Sequence, residues 1–215
     1  MIATASAMGI STFTDANRDG LSLTLGGWEV TMLDMSTAFG VFANKGYRVD
    51  LNPVLEVKDS RGKVLEKKRD QSPIFGEKVL PEEVTFIISD ILSDNQARSL
   101  AFGTNSVLVI PGQSVSVKTG TTNDYRDNWT IGYTPEYLVT TWVGNNDNTP
   151  MGAVVSGVTG ASPIWNEIMS FLLEGKKTSL WIAPKNAVRL NVCRQSGLFP
   201  AEGAACETKS DYFVR

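Results

Sequence analysis

Three stretches rich in β-branched and aromatic residues follow one another between residues 114 and 144. They restrict the fold more than any other part of the chain. They are SVSVKTGT (114–121), NWTIGYT (128–134) and YLVTTWVG (137–144). The connections, TNDYRD and Pro135-Glu136, are too short for a crossover helix. Successive strands must therefore run antiparallel, as a meander.

The rest of the pattern supplies helices and one ribbon. Val30, Leu33, Ala38, Val41 and Phe42 recur at helical spacing, which predicts a helix over 31–44. Thr31 and Asp34 resemble a capping box with Asp in place of Glu, and Gly46 closes the element. Leu80-Pro81-Glu82-Glu83 opens a second helix, with Pro and two acids in its first turn. A short helix over 96–101 comes next. Ser162-Pro163 starts an amphipathic helix carrying Ile164, Trp165, Ile168, Met169, Phe171 and Leu172 and ending near Gly175. Met1 to Ile10 reads as the end of a helix closed by Gly9, and residues 20–27 as an extended, glycine-bounded segment. Residues 51–70 form a charged hairpin turning at Asp59-Ser60-Arg61-Gly62. Residues 145–160 are a polar loop, and 176–215 an irregular tail. The fold class is α/β of the α+β type, an antiparallel sheet flanked by helices. Residues 1–175 make the main unit and 176–215 an incomplete tail after it.

The chain contains no histidine. Ser-His-Asp and Cys-His catalysis are therefore excluded, and acid–base work falls to Lys, Tyr, Asp, Glu or a terminus. Two cysteines without histidine cannot complete a structural zinc tetrad, so neither a metal nor another cofactor is expected. Twenty basic and 23 acidic residues give a net charge of −3, which argues against a nucleic-acid partner. No run of 18 apolar residues and no basic leader with an apolar core is present, so the sequence offers neither a membrane anchor nor a signal peptide.

One segment on the first strand carries chemistry: Lys118-Thr119-Gly120-Thr121-Thr122. By itself, Lys118 reads as an exposed lysine guarding a sheet edge. Lys-Thr-Gly is also one of the signatures of serine enzymes that react with penicillin. Around it stand GGWEVTMLDMSTAFGVFANKG (26–46), ILSDNQARSLAFGTNS (91–106), VKTGTTNDYRDNWTIGYTP (117–135), WVGNNDN (142–148), ASPIWNEIM (161–169) and VCRQSGLFPAEGAACETKSDYFV (192–214). With these pieces the chain resembles the C-terminal part of the transpeptidase domain of class A penicillin-binding proteins, bifunctional enzymes of peptidoglycan synthesis.

The resemblance implies the serine D,D-transpeptidase/β-lactamase-like fold with its N-terminal part missing. It also implies an activity, the cross-linking of stem peptides ending in D-Ala-D-Ala through a serine acyl-enzyme that β-lactams trap. Lys118 would supply positive charge and a proton path. The hydroxyls of Thr119 and Thr121 would face the substrate's terminal carboxylate. Gly120 would let the peptide pair with the strand edge, and the Thr121 N–H would be one oxyanion donor. The parent protein would be membrane-anchored, with this domain on the extracytoplasmic face of the cytoplasmic membrane. In that setting Cys193 and Cys206 either pair or remain two free thiols.

The family also needs Ser-x-x-Lys and Ser-x-Asn. Ser60-Arg-Gly-Lys63 and Ser93-Asp-Asn95 match only superficially. Ser60 and Lys63 fall in a turn, whereas a serine and its lysine must share a helical face. Ser93 to Asn95 reads as the end of one helix and the cap of the next. The resemblance places the true motifs before residue 1, so the chain by itself is expected to be inactive. Turn residues Asp124, Arg126 and Asp127 are either solvated or touch the substrate's rim, and Trp129, Trp142 and Trp165 are expected to pack core or groove. The rival reading is a non-catalytic domain that keeps the groove for peptide or protein binding.

Overall fold

The computed structural model describes residues 1–13, 20–67, 76–152, 158–200 and 206–215. Positions 14–19 of the amino-terminal stretch, 68–70 of the expected ribbon, 153–157 of the polar loop and 201–205 of the tail lie outside them. The first helix, α1 (Ile2–Ala7), gives way to Gly9 at φ +104°. A Cβ at Gly9 would stand 2.5 Å from Cγ2 of Thr37, so glycine serves both the turn and the close approach of the next helix.

That next helix, α2 (Met32–Ala43), begins as its sequence dictates. Thr31 Oγ1 accepts from the Asp34 N–H at 3.0 Å, a cap typically contributing about 1 kcal/mol. The Asp34 carboxylate is spent on Ser11, accepting from its N–H and its hydroxyl at 2.9 Å each. The cap is thereby also a tether for the segment leaving α1.

Residues 20–27 are not extended. Gly20–Leu25 form a 3-10 helix, closed by the N–H of Gly26 on the carbonyl of Leu23 and that of Gly27 on Ser22. A strand needs a partner, and this segment is hydrogen-bonded to itself. Leu23 is buried while Leu25 is exposed, so these leucines do not line one face as those of an extended segment would.

Strand β1 (Tyr47–Arg48) later pairs with β4 (Glu77–Lys78). Between them β2 (Glu56–Lys58) and β3 (Val64–Lys67) make the expected hairpin. Asp59 Oδ1 accepts from the N–H groups of Arg61 and Lys63 at 2.9 and 3.0 Å, which shapes the turn. Helix α3 (Glu82–Ser93) comes next, with Pro81 extended at its cap position. Asp94 then caps α4 (Asn95–Phe102), accepting from Gln96 and Ala97 N–H at 2.8 and 3.1 Å.

The meander is present as β5 (Ser116–Thr121), β6 (Asp127–Tyr133) and β7 (Leu138–Gly144), antiparallel and in that spatial order. Period-2 alternation gives the sheet two covered faces. Val115, Val117 and Val139 meet α5 (Ala161–Leu173), which inserts Trp165, Met169 and Leu173 into the main core with Leu108 and Ile110. On the other face Tyr133 packs edge-on to Phe39, stacks on Phe42 of α2, and reaches α3 through Ser89 Oγ at 3.1 Å. Ser116 Oγ donates to the Ser89 carbonyl at 2.6 Å.

The tail is a second departure from the expectation. Residues 187–193 and 208–214 are not irregular. Strands β8 (Ala187–Cys193) and β9 (Thr208–Val214) pair antiparallel along their whole length. Cys193 and Cys206 are disulfide-bonded across a Cα separation of 5.7 Å. The hairpin returns to α3, where Tyr212 meets Phe86 edge to face at 4.9 Å. No described helix is long and apolar enough to cross a membrane.

Candidate functional site

Lys118, Thr119, Gly120 and Thr121 occupy the last two-thirds of β5, opposite Ile131, Thr130, Trp129 and Asn128. Among the described residues β5 is hydrogen-bonded only to β6, so its other edge is open. The ladder determines which peptide groups face outward. Thr122 N–H donates to the Asp127 carbonyl at 3.0 Å. Antiparallel pairs alternate between hydrogen-bonded and non-bonded, so Gly120 and Lys118 also bond inward to β6, while the peptide groups of Thr119 and Thr121 point to the open edge.

The side chains divide between the two faces. Lys118 and Gly120 share the face of Ser116, which is covered by α2 and α3. Thr119 and Thr121 share the face of Val117, which is covered by α5. Lys118 is exposed, and its ammonium donates to the carbonyl of Thr119. At Gly120 an added Cβ would touch only Trp129 Cβ, at an ordinary 3.8 Å, and its φ is not left-handed. Neither packing nor backbone geometry requires glycine at this position.

Two polar arrangements fix the end of the strand. In the turn after Thr121, Thr122 Oγ1 donates to Asp127 Oδ2 at 3.1 Å and accepts from Asp127 N–H at 2.8 Å. Trp142 Nε1 donates to Asp127 Oδ1 at 3.0 Å. These bonds, with Met151 N–H on the Tyr125 carbonyl at 2.9 Å, hold Asp124 and Tyr125 at φ +60° and +54°. Such conformations cost non-glycine residues roughly 1 kcal/mol or more each. Asp127 is therefore a structural clamp rather than only a solvated turn residue.

The second arrangement centres on Asn128, which is fully buried. Its Oδ1 accepts from the N–H of Ala161, the first residue of α5, at 2.6 Å. Its Nδ2 donates to Thr121 Oγ1 at 3.0 Å. Sequence reasoning does not single out Asn128. The one signal for it is parity, because it shares a strand face with Thr130 and Gly132, which point at α5.

The two superficial serine motifs are structural. Ser60 and Lys63 stand in the β2–β3 turn, which is closed by the Asp59 N–H on the Lys63 carbonyl at 3.0 Å. Ser93 ends α3 and donates to the Asp90 carbonyl at 2.9 Å. Trp165 belongs to the core, whereas Trp129 and Trp142 are half-buried and lie 6.5 Å apart between ring centroids. A separate apolar concavity of about 340 Å³ lies between α1 and α2, lined by Met8, Met35, Phe39 and Phe42 among others, with no lining residue from β5.

The fold of this chain is shared with solved penicillin-binding proteins. The penicillin-binding protein 1A of Haemophilus influenzae superposes on 99% of this chain and 36% of its own, with a TM-score of 0.79 and 23% identity. PonA1 of Mycobacterium tuberculosis, solved in complex with penicillin V, covers 85% of this chain and 52% of its own, with a TM-score of 0.70 and 24% identity.

Residues 4–170 match the penicillin binding protein transpeptidase domain family, and the chain belongs to it. Among curated relatives, penicillin-binding protein 1A of Neisseria meningitidis serogroup A is 30% identical over 175 residues, 80% of this chain and 21% of that protein. Penicillin-binding protein 1A of Rickettsia typhi is 27% identical over 202 residues, 86% of this chain and 26% of that protein. The chain thus spans 21% and 26% of the length of these two relatives.

Proposed function

We propose that residues 116–121 form the substrate-binding wall of a serine D,D-transpeptidase that cross-links peptidoglycan stem peptides on the extracytoplasmic face of the cytoplasmic membrane, in a membrane-anchored parent protein. Residues 1–175 belong to the transpeptidase domain, and 176–215 form the tail after it. The observation that carries this reading is the open edge of β5, where the Thr119 and Thr121 peptide groups face outward beside an exposed Lys118.

An extended D-Ala-D-Ala terminus adds to this edge as a strand. Its main chain pairs with Thr119, and the Thr121 N–H is directed at the carbonyl oxygen that becomes negative when serine attacks. Lys118 sets a positive potential beside the terminal carboxylate and the serine. Gly120, which has no structural reason to be glycine, leaves the approach clear. Attack expels the terminal D-Ala and leaves an acyl-enzyme, which the amine of a second stem peptide resolves. β-Lactams acylate the same serine.

The test is amide mapping by NMR on the chain titrated with N-acyl-D-Ala-D-Ala. The expected perturbations centre on residues 119–121. They disappear in Gly120→Val, while the melting temperature stays within a few degrees because a β-branched residue suits a strand. Perturbations elsewhere, or ones that survive Gly120→Val, overturn the reading.

A further inference from the structure

We infer that Asn128 is a positioning residue that turns the Thr121 hydroxyl hydrogen outward, so that this site selects a free carboxylate over a neutral peptide end. The inference rests on the proposed binding of the substrate terminus at Thr121.

The backbone N–H of Ala161 can only donate. It lies 2.6 Å from the Asn128 side chain, so the atom facing it must be the carbonyl oxygen Oδ1. This fixes the amide, whose orientation would otherwise be ambiguous. Nδ2 is thereby turned to Thr121, where it donates to Oγ1 at 3.0 Å. A hydroxyl has one hydrogen, and Oγ1 already accepts from Nδ2, so its own O–H is directed to some other acceptor. Thr121 is exposed, whereas Asn128 is fully buried. The relay runs from Ala161 N–H through Asn128 to Thr121 and ends in a donor at the open edge of β5.

The source of the polarity is the start of α5. The first N–H groups of a helix have no intrahelical acceptor, and here one of them orients the amide. A carboxylate accepts from such a hydroxyl in a short, charge-assisted bond. A terminal carboxamide can offer that hydrogen only its neutral carbonyl, a weaker acceptor that forms no charge-assisted bond. In Asn128→Asp, which is nearly isosteric, Ala161 keeps its acceptor but Thr121 turns its hydrogen inward to the new carboxylate. The site then presents an oxygen lone pair and a nearby negative charge.

The experiment compares N-acyl-D-Ala-D-Ala as free acid and as C-terminal amide on the 215-residue chain by NMR titration. The wild type should prefer the acid by about tenfold or more, the size of one charge-assisted hydrogen bond. Thr121→Ser should keep the preference, and Thr121→Val and Asn128→Asp should abolish it. An Asn128→Asp variant that folds and keeps the wild-type preference overturns the inference and leaves the function standing. A wild type that binds neither peptide overturns the binding reading and this inference together, whereas one that binds both equally at residues 119–121 overturns the inference alone. Side-chain amide exchange in the ligand-free wild type gives a readout independent of that variant's folding. The Asn128 Nδ2 proton directed at Thr121 should be protected and should lose protection in Thr121→Val. Unchanged exchange overturns the inference.

Discussion

A methyl group placed on Gly132 would stand 2.3 Å from Cζ2 of Trp165 and 2.8 Å from its Nε1. Trp165 is fully buried in the core between β6 and α5, so the ring has nowhere to retreat. Gly132→Ala is expected to destabilise the chain by about 1–3 kcal/mol, the usual cost of overpacking. Trp165→Phe should recover part of that loss in the double variant, because the two sites share one volume. Denaturant melts of the four proteins measure the coupling, and additive losses would show that the clash is not the cause.

Tyr133 supplies a pH dependence. Burial pushes its phenol up to about 12, and its hydrogen bonds with Ser89 and Ser116 pull it back only in part. The folded state therefore favours the protonated form. The stability this provides is complete below pH about 10 and is lost as pH rises from about 10 to about 12, a change of roughly 2–3 kcal/mol. Tyr133→Phe should cost about 1 kcal/mol at neutral pH, because the Ser89 hydroxyl keeps its bond to the Thr85 carbonyl. Above pH about 11 the variant should be the more stable of the two. Parallel stability curves for both proteins across this range would refute the assignment.

The disulfide stabilises the tail. Cys193 and Cys206 lie 13 residues apart at one end of the β8–β9 hairpin. Removing the bridge by Cys193→Ser and Cys206→Ser should cost about 2–3 kcal/mol, as expected for a loop of this size. Hydrogen exchange should rise first in β8 and β9 and then in α3 around Phe86, where Tyr212 is docked. Faster exchange spread evenly through the meander would contradict this order.

Incubation of the chain with excess penicillin should give no covalent adduct by intact-mass spectrometry. Ser60 and Lys63 are held in a β-turn, and Ser93 is committed to the Asp90 carbonyl. A stoichiometric adduct that vanishes in Ser60→Ala or in Ser93→Ala would make that serine a nucleophile and overturn the structural role given to it.

The meander and its Lys-Thr-Gly segment are legible in the sequence because strand signals are local. Alternation, β-branched residues and two short connections leave little choice, and the Thr31 cap and Asp59 turn are equally local. Gly20–Leu25 misleads because its alternating leucines imitate a strand, although no described strand pairs with them. The tail hairpin is hard to see because Arg189 and Asn191 dilute its apolar positions, and only Val192 is deeply buried. The Asn128 relay joins residues 33 positions apart in sequence, so it exists only once α5 has docked on the sheet. An open edge likewise cannot be read from a strand's own residues, because it depends on what other elements leave unpaired.

The described meander is open on both sides, since β5 and β7 each bond only to β6. In terms of assembly, such a sheet has a valence of two. A protein with one open edge stops at a dimer, whereas one with two can add copies at both ends in an unclosed, head-to-tail series. Growth then depends on concentration and is halted by anything that occupies either edge. A short peptide bound along β5 would act as a chain terminator, leaving only pairs joined through β7.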